Sequence, residues 1–137
     1  MGAVRFDFVK CHGSGNDFPL IDARALSLSN ADWAAAARAL ADRRGPVGGD
    51  GLLLLGQGAG NAAFSMRMFN SDGSEAETCL NGLRCVARAG FEALGIDDAD
   101  VSLKTSTAYV ERDADVAPGV YTVRETAGPA GLDAAAV

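Results

Sequence analysis

The side chains best suited to chemistry fall in one run: Asn70-Ser71-Asp72-Gly73-Ser74-Glu75-Ala76-Glu77-Thr78-Cys79-Leu80-Asn81-Gly82-Leu83-Arg84-Cys85. It predicts a polar loop leading into a helix over Cys79 to Leu94, with Cys79 in the first turn. Unpaired N–H groups and the positive end of the helix dipole lie there, and both favour thiolate over thiol. The same N–H groups suit a carboxylate. One helix start could therefore hold an amino acid's α-carboxylate and set a basic sulfur beside its α-carbon. The alternative is that Cys79 is a small apolar core residue, the commoner fate of a free cysteine.

The other two thiols read differently. Cys85 lies about 240° round the helix from Cys79, so the two share no face, which disfavours a redox pair or a shared metal. Cys85 falls with the apolar arc and reads as core. Cys11-His12 invites a nucleophile–base reading, but neighbours on a strand point to opposite faces. A buried cysteine beside a histidine that bonds a turn fits better. Gly45-Pro46-Val47-Gly48-Gly49-Asp50-Gly51 lacks the GK[ST] ending of a phosphate loop and reads as a tight turn. Asn16 and Asn70 occupy glycine-rich turns, where asparagine is ordinary.

The elements that must position these residues follow from periodicity. Val4 to Val9 alternates as a strand, broken by Cys11-His12-Gly13-Ser14-Gly15-Asn16-Asp17. Phe18 to Asp22 is a second strand, placed at an edge or a strand start by Pro19. Ser29 or Asn30 caps a helix over Ala31 to Arg44, with Trp33, Ala36, Ala37 and Leu40 on one face. Leu52 to Leu55 and Phe64 to Phe69 are strands. The helix from Cys79 carries Leu83, Val86, Ala87, Gly90, Phe91 and Leu94 in an arc wide enough to make it central, and Gly95 stops it. Val101-Leu103-Thr105-Thr107-Tyr109 and Val120 to Val123 are further strands. Strands and helices in this order do not alternate as βαβ units. They predict an α+β domain with a curved, mostly antiparallel sheet around the second helix.

Composition bounds the rest. The chain has 137 residues, 48% hydrophobic and 22% charged, which suits one globular domain. A net charge of −6 disfavours nucleic acid as a partner. No apolar run reaches the roughly 18 residues of a membrane span. Three cysteines that cannot all pair, with no signal-peptide pattern, predict a reduced, cytoplasmic setting. One histidine leaves few soft metal ligands, and no metal is expected. Residues 1–126 form the expected domain. The small-residue tail over 127–137 reads as a linker toward a second domain outside this chain.

Taken together, three ordered blocks resemble the diaminopimelate epimerase family, whose members work without a cofactor. Cys11-His12-Gly13-Ser14-Gly15-Asn16-Asp17-Phe18 looks like that family's HGxGNDF opening. Ala41-Asp42-Arg43 with Gly48-Gly49-Asp50-Gly51-Leu52-Leu53 is similar to its next block, and Arg67 through Cys85 to its active-site stretch, which normally ends CGNGxRC. The resemblance implies an isomerase of amino-acid (lysine) biosynthesis, with a site shared between two pseudo-symmetric halves. One cysteine thiolate removes the α-proton of an amino-acid substrate, and a second cysteine's thiol reprotonates the other face. By position, Cys79 matches the first cysteine. Leu80 and Asn81 match the pair whose backbone N–H groups grip the α-carboxylate, and Asn16 and Asn70 match substrate-binding asparagines. Leu80 departs from the family's glycine, and Gly51 stands where members often carry a substrate-binding glutamine. The second cysteine is expected from a C-terminal half, on the same or a separate chain, or from a homodimer that supplies Cys79 twice. The competing readings are a non-catalytic binding or assembly half-domain and a thiol-reactive sensor.

Overall fold

The structure, a computed structural model, describes residues 7–13, 15–77 and 80–126. Cys79 and the tail over 127–137 therefore lie outside the described residues. In chain order the elements are β1 (Val9–Gly13), β2 (Asn16–Asp22), α1 (Asn30–Leu40), β3 (Gly51–Gln57), β4 (Phe64–Asn70) and β5 (Glu75–Ala76). They continue with α2 (Leu80–Leu94), β6 (Asp98–Ser102), β7 (Thr107–Ala117) and β8 (Val120–Thr126).

One mixed sheet runs β1-β2-β3-β4-β6-β7-β8, with β5 pairing β4 off this path. Neighbours are antiparallel except β2 with β3 and β4 with β6. Those two parallel pairs correct the expectation that no βαβ unit is present. α1 connects β2 to β3, and α2 lies between β4 and β6. Because β3 and β4 are antiparallel, strand direction reverses between the two crossovers. The right-handed rule for such connections then sends the helices to opposite faces of the sheet.

Packing agrees with that rule. β3 is buried on both faces, as its unbroken Leu52-Leu53-Leu54-Leu55 run requires. Leu52 and Leu54 join Ile21 and Phe69 under Trp33 and Ala37 of α1. Leu53 and Leu55 join Phe64, Met66 and Met68 against Leu83, Val86, Ala87 and Phe91 of α2. α2 also touches both edge strands, β1 and β8. A sheet whose two edges reach one helix must curl around it, so α2 is central as its apolar arc implied. Gly90 lets it sit close: a Cβ there would stand 2.5 Å from Cε2 of Phe64, whose ring is fully buried.

Local boundaries differ from the sequence expectation, most of all in β1, α1 and the β6–β7 stretch. β1 is Val9–Gly13 and so includes Cys11, His12 and Gly13, which periodicity assigned to a turn, while residues 4–6 of the expected Val4 to Val9 strand lie outside the described residues. α1 stops at Leu40, not Arg44, while Ser29 caps it in a capping box with Asp32. The single alternating stretch Val101 to Tyr109 is two strands, β6 and β7, joined by a turn in which the Leu103 N–H donates to the Ser106 carbonyl. Pro19 also lies in an interior strand. It pairs Lys10 in β1, and the register with β3 starts only at Leu20.

Candidate functional site

The β1–β2 hairpin and the first turn of α2 meet through two carboxamides. Asn16 opens β2 opposite Gly13, and its Oδ1 accepts a 2.6 Å bond from Nδ2 of Asn81. The other end of the Asn16 amide is held as well. Its Nδ2 donates to Oδ2 of Asp50 at 3.2 Å, and the Asp17 N–H donates to the same oxygen at 2.9 Å. Both ends of this half-buried side chain are therefore constrained.

A charge network stands behind this contact. Arg43 reaches Asp17 at 2.6 Å and Asp50 at 2.9 Å, and Lys10 Nζ lies 3.0 Å from Asp17. Arg43, then Lys10, holds the Asp17 carboxyl well below the usual carboxylate range. The Asp17 N–H does the same for Asp50, helped by Asn16 and Arg43. The glycine-dense turn before β3 thus delivers Asp50 to Asn16, and the end of α1 delivers Arg43. Sequence reading gave neither residue a role, although both fall in the second block quoted above.

Asn70 closes β4 opposite Gly51. Its Nδ2 donates to Ser74 Oγ at 3.0 Å, and its N–H to the Ser74 carbonyl at 2.7 Å. The bonds of Asn70 thus organise the turn over 70–74, while its register partner Gly51 follows Asp50, the residue bonded to Asn16. Gly51 is buried, and a Cβ there would lie 2.7 Å from the Phe69 carbonyl oxygen. A glutamine does not fit at this point of the backbone. Leu80 and Asn81, both half-buried, begin α2. The first-turn N–H groups of a helix and two fixed carboxamides together make a polar corner able to take a carboxylate.

A cavity of about 680 Å³ lies elsewhere, between β1, α2 and β8. Cys11, Cys85, Arg84, Arg88 and Tyr121 line it, with Lys10 and His12 exposed at its rim. Cys85 is buried, as expected for a core residue, and half-buried Cys11 packs against the cluster it belongs to. Among the described residues no three Cys, His, Asp or Glu side chains group as metal ligands. Among them, too, no helix is long and apolar enough to cross a membrane.

Comparison with known proteins gives these features a context. A model of the diaminopimelate epimerase family matches residues 8–121. The chain is similar to the diaminopimelate epimerase of Clostridium acetobutylicum, 39% identical over 123 residues that cover 88% of this chain and 37% of that protein. Similarity to the Synechococcus sp. (strain JA-2-3B'a(2-13)) enzyme of the same name is 48% over 106 residues, covering 75% of this chain and 35% of that one. The chain therefore spans a little over a third of the length of these relatives. Among solved structures, a Bacillus anthracis phenazine biosynthesis protein of the PhzF family superposes with a TM-score of 0.63 at 16% identity, over 88% of this chain and 38% of the other. A predicted epimerase from Pseudomonas aeruginosa gives a TM-score of 0.59 at 18% identity, over 81% and 36%. At such identities the likeness is one of fold.

Proposed function

Because the chain belongs to the diaminopimelate epimerase family, we propose that it is the N-terminal half of a cofactor-independent amino-acid epimerase or racemase. The substrate is an amino acid of the diaminopimelate type. Cys79, preceding the described start of α2, is the base. The dipole of α2 and its first-turn N–H groups favour the thiolate, which takes the α-proton as the Cα–H bond breaks. The electron pair spreads onto the α-carboxylate, held by the N–H groups of Leu80 and Asn81. Asn16 and Asn70 bind the rest of the substrate's polar head. A second cysteine, from a C-terminal half on the same or a separate polypeptide, donates its proton to the opposite face.

The observation that carries this reading is the 2.6 Å bond between Asn81 and Asn16. It joins two of the assigned substrate-binding residues from segments far apart in sequence, at the start of α2, the helix terminus that favours negative charge. The Leu80 side chain, in place of the family's glycine, packs against the core cluster around α2.

The test is deuterium incorporation at the α-carbon of diaminopimelate in heavy water, with the chain complemented by a C-terminal half. Incorporation by the wild type that disappears in Cys79→Ala is expected. Incorporation that survives Cys79→Ala would remove the thiolate from the mechanism. None by the wild type with its complement would overturn the epimerase reading.

A further inference from the structure

We propose that Cys11 and Cys85 form a reversible thiol–disulfide site, oxidised to an intrachain disulfide by a low-molecular-weight disulfide entering the cavity between β1, α2 and β8. Three observations carry it. The two thiols come from different elements, an edge strand and the central helix, yet Cys11 packs against the buried cluster that holds Cys85. Both line a cavity of about 680 Å³ whose rim residues Lys10, His12 and Arg88 are exposed, so a small molecule can reach the sulfurs. And β1 forms one edge of the sheet, with β2 as its sheet partner, so it can adjust toward α2 as the sulfurs close to covalent distance.

The proximity of the two thiols also sets the order of events. Cys11 favours charge on Cys85 against the opposing effect of burial. Cys85, with burial, pushes the Cys11 thiol up and keeps its proton in place. One sulfur thus attacks and its neighbour resolves. The Cys85 thiolate attacks one sulfur of the small disulfide, breaking its S–S bond and releasing one thiolate, which takes up a proton. Cys11 then attacks the Cys85 sulfur of the mixed disulfide, releasing the second thiolate, which takes the Cys11 proton. The small disulfide gains two electrons and two protons, and the cysteine pair loses the same. The product staples β1 to α2 beside the hairpin that carries Asn16.

The probe is oxidised glutathione, applied to the wild-type chain and to Cys79→Ala, with alkylation and peptide mapping. Both proteins are expected to lose two hydrogens in mass and to give a Cys11–Cys85 linked peptide, reversed by dithiothreitol. The bridge should form about tenfold faster in the folded chain than in urea, because folding holds the sulfurs together. Cys11→Ser should stop at a glutathione adduct on Cys85, a readout that needs only the mapped peptide. A bridge that includes Cys79, an unresolved adduct in the wild type, or equal rates in the folded and urea-unfolded chain would overturn the proposal. None of these readouts involves epimerisation, so this site and the proposed function fail separately.

Discussion

Asn81 Nδ2 and Asn16 Oδ1 stand 2.6 Å apart, and this single bond closes the start of α2 onto the β1–β2 hairpin. Asn16 is fixed at its other end by Asp50. A carboxamide bonded at both ends has one orientation, with the oxygen facing the helix and the nitrogen facing the acid.

The contact should be measurable as a coupling. Asn16→Ala and Asn81→Ala are each expected to destabilise the chain by about 1 kcal/mol, the usual worth of a neutral hydrogen bond. The double variant should cost less than the two losses added, because they remove the same bond. Urea unfolding of the four proteins gives the cycle. Simple additivity would mean that the bond contributes nothing in solution.

Asp17 predicts an acid-sensitive fold. Its carboxyl is held well below the usual range by Arg43 and Lys10. A depressed folded pKa adds stability that is fully present above the unfolded value, about 3.9, and is lost as pH falls through the folded one. The wild type should therefore lose its advantage over Asp17→Asn as pH drops from 5 toward 2. Urea midpoints across that range check it, and a constant gap between the two proteins would exclude the ion pairs as the cause.

Gly90→Ala tests how closely α2 is seated. The new methyl would lie 2.5 Å from Phe64 Cε2, 2.6 Å from Cζ and 2.8 Å from Cδ2, against a ring with no room to retreat. Alanine normally strengthens a helix interior by up to about 1 kcal/mol over glycine. Here overpacking should outweigh that gain and give a net loss of about 1–3 kcal/mol. A melting temperature equal to or above the wild type's would show that α2 can shift off the sheet.

Where one element's own pattern decides the outcome, the chain was readable. The apolar arc of α2 up to Phe91, a cap at Ser29 or Asn30 for α1 and the strand over Leu52 to Leu55 are properties of neighbouring residues; the structure holds them, with Ser29 as the cap and only Leu94 of the arc exposed. The family blocks were readable for the same reason, since residues that surround one ligand leave their spacing in the sequence. The β1 boundary was not, because glycine and polar residues at Cys11-His12-Gly13 look like a turn until β2 supplies their partners. Nor was the division of β6 from β7, since Leu103 continues the alternation of Val101 while the chain turns there.

The sequence by itself determined that a central apolar helix would be wrapped by a sheet, and that the α2 start and the Asn16 turn belong to one family pattern. Only the tertiary structure decided that Asn16 touches Asn81, that Arg43 and Asp50 stand behind it, and that Cys11 meets Cys85 across the cavity. Those contacts join residues far apart along the chain. Their distances depend on how crossovers, twist and curl bring strand and helix together, and no local periodicity encodes that sum.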